Sequence, residues 1–99
     1  MTDVASTNGL SDSQTERLAV LVEELGEAAQ MVGKILRHGY ESCHPNDPTT
    51  TNRSRLEHEL GDVLVAIDLL INRADISEEE LRDRKRVKSH RIRDWLYHQ

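Results

Sequence analysis

An all-α fold, a helical bundle of about three main helices per chain with its core completed by oligomerisation, is what this sequence predicts. Three observations carry the prediction. Two long segments repeat apolar residues at helical spacing, and each also bears a pair of acids three residues apart. Ser/Thr-x-x-Glu phrases of the capping-box type stand ahead of two helical segments. No stretch alternates apolar and polar residues as a half-buried strand does.

Residues 1 to about 11 are small and polar, with Asn8-Gly9 as a turn signal, and read as a flexible N-terminal arm. Residues 12–99 then form a single helical domain. Ser13-x-x-Glu16 fits a capping box, so the first helix should run from about residue 14 to about residue 37 and end near Gly39. From His38 to Asn52 the chain carries Gly39, Pro45, Pro48 and a threonine run. It cannot be helix throughout and reads as a loop with room to be a lid. Asn52 or Ser54 can cap a second helix reaching about Arg73. Ser77-x-x-Glu80 opens a third, through Leu81, Val87, Ile92, Trp95 and Leu96.

The chain of 99 residues is 36% apolar and has no Phe. A chain this small and lean buries little surface alone, so subunits should share a core as a homodimer or homotetramer. Its net charge of −5 argues against coating nucleic acid as its main work. The single cysteine, Cys43, permits no internal disulfide and suits a reducing cytoplasm. No stretch is long and apolar enough to span a membrane, and Met-Thr-Asp-Val-Ala-Ser lacks the regions of a signal peptide.

The acids carry the chemistry. Glu24 and Glu27 stand three apart in Glu24-Leu25-Gly26-Glu27, and Glu59 and Asp62 do so in Glu59-Leu60-Gly61-Asp62. On a helical wheel with the first acid of each pair at 0°, the second falls at about 300° in both. Leu18, Leu21, Leu25, Ala28, Val32 and Leu36 occupy an arc from about 40° to 120°, and Leu56, Val63, Leu64, Ile67 and Ile71 one from about 40° to 140°. The acids therefore flank each core stripe, where two helices meet. Four carboxylates converging there cannot all stay ionised unaided, and a divalent cation resolves the conflict. All-oxygen ligands suit Mg²⁺ or Mn²⁺, and Mg²⁺ commonly takes phosphate oxygens from a substrate, so a phosphate ester or anhydride is expected. One ExxE pair alone is more often a solvated helix face; two with matching stripes and a glycine at the same internal place are not. Gly26 and Gly61, each costing about 1 kcal/mol against alanine in a helix, point to close helix approach.

The pattern Glu23-Glu24-x-x-Glu27, a spacer, then Glu59-x-x-Asp62 resembles the MazG-like family of all-α nucleoside triphosphate pyrophosphohydrolases, the superfamily that includes dimeric dUTPases. The likeness covers about Leu18 to Ile71, and Lys34 to Gly39 with Thr51-Asn52-Arg53 is most similar to the small phage-type branch. The resemblance implies hydrolysis of an NTP or dNTP to the monophosphate and pyrophosphate with Mg²⁺ or Mn²⁺, in a bacterium or a phage-infected cell. It carries a preference for a purine such as dGTP or GTP. Glu24, Glu27, Glu59 and Asp62 are then the metal ligands, and Glu23 joins them in catalysis, holding an outer metal or the attacking water.

Several cations suit a triphosphate. Lys34 at about 280° and Arg55 at about 320° lie on the carboxylate side of their helices, although an intrahelical ion pair explains them equally. Arg37 and His38 stand near the end of the first helix, where they meet phosphate or favour the dipole. The basic run from Arg82 to Arg93 supplies Lys85 and Lys88 as a phosphate-facing edge reaching a neighbouring subunit's site, against the alternative of a solvated face. No aromatic residues interleave with that run as nucleic-acid stacking requires. Glu41-Ser42-Cys43-His44 contains an ExxH without a second copy, so neither a di-iron nor a zinc site is supported. Tyr40 is better placed than Trp95 or Tyr97 to touch a base. Two competing readings are a non-catalytic helical interaction module and a nucleic-acid-binding helical dimer. The first predicts no response to Mg²⁺ and the second salt-sensitive DNA binding without metal.

Overall fold

A computed structural model describes residues 7–98, so residues 1–6 of the expected arm, and Gln99, lie outside it. The chain folds as α1 (Asp12–His38), β1 (Cys43–His44), β2 (Asp47–Thr51), α2 (Asn52–Asn72), α3 (Glu78–Arg91) and a 3₁₀ turn at Ile92–Trp95. The all-α reading holds, with a small hairpin added where only a loop was expected. β1 and β2 pair antiparallel, Cys43 opposite Thr51 and His44 opposite Asp47, with an irregularity between the two registers. No strand was expected because Pro45 and Pro48 spoil the alternation. The β-branched run Thr49-Thr50-Thr51 nonetheless favours extended backbone.

Local chemistry sets the helix ends. α1 starts two residues before the expected position: Ser11, not Ser13, is the N-cap, and it exchanges hydrogen bonds with Gln14 in a complete capping box. Starting there puts Asp12 in the first turn, where the positive end of the helix dipole favours it. Gly39 closes α1 at φ +88°, a conformation that L side chains rarely adopt, and its N–H donates to Ile35 O at 2.7 Å. Thr51, rather than Asn52 or Ser54, caps α2, accepting from the Ser54 N–H. Ser77 caps α3 as expected, accepting from the Glu80 N–H. The third helix stops as α-helix at Arg91 and tightens into 3₁₀ through Trp95, a common way for a helix to end.

α1 and α2 form an antiparallel pair. At one end Arg17 clamps Asp75, just beyond α2, at 2.6 Å; at the other the hairpin joins them. The buried apolar residues are Ala28 and Met31 of α1 and Val63, Ala66 and Leu70 of α2. On the wheels above these fall between about 340° and 40°, centred on the direction of Glu24 and Glu59 themselves. The expected stripes are thus split. Ala28 and Val63, at their near edge, pack in the α1–α2 seam with Met31, Ala66 and Leu70, which the stripes did not include, while Leu25, Val32, Leu36 and Leu64 stay exposed, as does Leu60. Glu24 and Glu59 thus lie along the seam, Glu27 and Asp62 lie to one side of it, and the uncovered stripes lie on the other.

Gly26 and Gly61 do not serve close approach within the chain. A Cβ on either meets nothing within 4 Å, because both point away from the seam. α3 makes its main contacts with the 3₁₀ turn, not with α1 or α2, and no residue of α3 is buried.

Candidate metal centre

Antiparallel packing in this register brings Glu24 and Glu27 opposite Glu59 and Asp62. One carboxylate oxygen from each lies within 4.8 Å of the others. Oxygens around a Mg²⁺ at about 2.1 Å stand at most about 4.2 Å apart, so side-chain shifts of less than about 1 Å close this set on an ion. Glu24 and Glu59 are half-buried, and the Oε2 atoms of both are shielded from water without any hydrogen-bond partner. A shielded carboxylate oxygen with no donor is costly, and a hard cation is the partner its chemistry fits.

Protonation reports the same frustration. Burial first, then the charges of Glu27, Asp62 and Glu23, push the Glu24 carboxyl above its ordinary value. Glu27 is pushed up first by hydrogen bonding to the Glu59 carboxyl and then by that group's charge, so the close pairing of acids favours its protonated form. Glu23 is exposed and outside the four-acid group, although its charge acts on both Glu24 and Glu27.

Two cavities share a wall near the acids, and one of them is bordered by the acids themselves. One of about 470 Å³ is bordered by Glu27 and Glu59 and walled by Gln30, Lys34, Asp47, Ser54, Arg55 and His58. The other, about 400 Å³, lies under the hairpin among Lys34, Arg37, His38, Ser42, Cys43, His44, Pro45, Asn52 and Arg55. Lys34 and Arg55 line both. Arg55 makes no intrahelical pair: it donates to Asp47 of the hairpin at 3.2 Å, and its Nε is shielded and unpartnered. Hydroxyl donors from Thr50 and Thr49, then Arg55, hold the Asp47 carboxyl below its usual range, which keeps it charged. Among the described residues no ion pair engages Lys34.

Other expected residues stand apart. Lys85 and Lys88 lie on α3 and line neither cavity. Tyr40 also lines neither, and the Arg53 guanidinium sits 4.4 Å from its ring centroid. Asp47 and His58 were missed as cavity residues. His58 falls at about 260° on its wheel, on the side of Asp62, and was readable there. Asp47 depended on the unforeseen hairpin.

Comparison with known proteins agrees with this geometry. The family described as "MazG nucleotide pyrophosphohydrolase domain" matches residues 12–88. The chain is 43% identical over 67 residues to "Uncharacterized protein YpjD" of Bacillus subtilis (strain 168), covering 68% of this chain and 55% of that protein. It therefore spans about half the length of the curated relative it matches. No solved structure matches it.

Proposed function

The chain belongs to the MazG nucleotide pyrophosphohydrolase family, and on that footing we propose that it hydrolyses a nucleoside triphosphate to the monophosphate and pyrophosphate, dependent on Mg²⁺ or Mn²⁺. One observation carries the reading: four carboxylates from two helices, within 4.8 Å, include two shielded oxygens that no donor in the chain satisfies. Glu24, Glu27, Glu59 and Asp62 are the residues that hold the cation. Once bound, it supplies positive charge against the phosphate oxygens and makes an adjacent water easier to deprotonate.

The chain's own residues do the rest. Lys34 and Arg55, which line both cavities, meet phosphate oxygens, and Arg37 adds a cation on the side of the hairpin cavity. Glu23, the free carboxylate beside the group, orients the attacking water. Lys85 and Lys88, which do not reach the site of their own chain, serve a neighbouring subunit's site in a homodimer or homotetramer. The substrate is a purine triphosphate such as dGTP or GTP, as in the phage-type branch that Lys34 to Gly39 resembles, and the working compartment is the cytoplasm. No helix of the described chain is long and apolar enough to cross a membrane.

The test is pyrophosphate release from a panel of NTPs and dNTPs with Mg²⁺, Mn²⁺ or chelator. Turnover should require the metal. Glu24→Gln should lower it by on the order of 100-fold or more while leaving the helical circular dichroism intact. Undiminished turnover in that variant removes the site assignment.

A further inference from the structure

The cavity beneath the hairpin differs in character from the one beside the acids. No acidic side chain lines it, so it holds no further carboxylate for a cation, and beyond Lys34, Arg37 and Arg55 its wall is made of His38, Ser42, Cys43, His44, Pro45 and Asn52. Its volume of about 400 Å³ is far more than a phosphate group needs and lies in the range of small-molecule pockets, roughly 300–1,000 Å³.

The cavity is also braced. Asn52, 6% exposed, donates from its side chain to Gly39 O at 3.2 Å and from its backbone N–H to Ser42 O at 2.8 Å. The Arg53 N–H donates to Tyr40 O at 2.8 Å. These bonds fasten the chain leaving α1 to the first turn of α2, so the wall is preformed. His44 Nδ1 accepts the Asn46 N–H at 3.0 Å, which leaves Nε2 to carry the ring proton as a donor.

We propose that this cavity receives the nucleoside end of the substrate, with His38 and His44 as the side chains that select the base. The proposal rests on the pyrophosphohydrolase reading. If phosphates lie between the acids and the Lys34–Arg55 junction, the sugar and base are the part still to be housed. The braced cavity shares Lys34 and Arg55 with the one beside the acids.

Cys43 supplies the test, because it is the single cysteine of the chain and lines this cavity. The rate of its alkylation by iodoacetamide is measured in the full chain with nucleoside monophosphates of the common bases, or with inorganic pyrophosphate, at millimolar concentration. At least one monophosphate should slow the reaction several-fold while pyrophosphate does not, and His44→Ala should weaken that protection. Equal or better protection by pyrophosphate, or protection by no monophosphate, overturns the assignment. Wild-type pyrophosphate release without Cys43 protection overturns the cavity alone. No turnover of any nucleotide overturns the enzyme reading and the cavity with it.

Discussion

Set against the Glu59 carboxyl, the Glu27 carboxyl favours its protonated form. Both Glu24 and Glu27 titrate above the ordinary glutamate value of 4.5, so the fold retains protons that the unfolded chain releases. Stability of the metal-free protein therefore falls as pH rises from about 4.5 through the raised values, and the loss is complete above them. A cation binding these oxygens displaces the protons and relieves the repulsion. The thermal midpoint should consequently rise with Mg²⁺ at neutral pH and respond much less near pH 5; equal shifts at both would contradict the site. Glu27→Gln separates stability from function. Its amide can donate to Glu59 without a proton, so the metal-free variant should melt a few degrees above wild type while losing activity. The acid spacing made the four ligand candidates legible in the sequence, since i, i+3 positions share a helix face. Asp47 was not, because its place beside Arg55 comes from a hairpin turn and not from helical periodicity.

Elements are held to one another by few contacts, which gives each a large consequence. Arg17 and Asp75 tie α1 to the turn after α2 with side chains only 18% and 12% exposed. That turn is bent by Ala74 at φ +59°, and the Asp75 N–H returns to Leu70 O at 2.9 Å. The hydrogen bond from Arg17 holds the Asp75 carboxyl below its model value of 3.8. Its contribution is therefore complete above that value and lost as pH falls through the lower folded one. Asp75→Asn should reduce the thermal midpoint at neutral pH, with the deficit closing in acid. Arg82→Gln, which breaks an exposed pair with Glu78 on α3, should leave the midpoint unmoved. Leu70→Ala, in the seam at 2% exposure, should cost about 2–5 kcal/mol in denaturant unfolding. Helix existence was readable because α1 and α2 repeat one long apolar pattern. Their boundaries were less so: Ser11 and Ser13 both open plausible boxes, and the first-turn charge of Asp12 distinguishes them only once the geometry is known.

At the scale of the whole molecule the described chain is extended and leaves much apolar surface uncovered. Its radius of gyration is 17.7 Å, against roughly 13 Å for a compact domain of about 100 residues. Among the described residues five apolar ones are buried while fifteen large ones remain exposed, more than a stable monomer of this size carries without use. Their arrangement is what points to a second copy. In an antiparallel pair, stripes rotated about 100° past the seam on both helices fall on the same side, so Leu25, Val32 and Leu36 of α1 join Leu60 and Leu64 of α2 in one apolar face. The acids at about 300° fall on the opposite side, leaving the metal centre and both cavities open while that face is covered. Two such faces packed together make a four-helix arrangement. Wild-type protein should therefore have the mass of a dimer or larger by light scattering, and its thermal midpoint should climb with protein concentration. Leu64→Glu, which sets a charge at a position 63% exposed in the lone chain, should lower the assembly to monomers and the midpoint with it. A wild-type monomer, or a Leu64→Glu variant of unchanged mass, would overturn the expectation that a second copy covers this face.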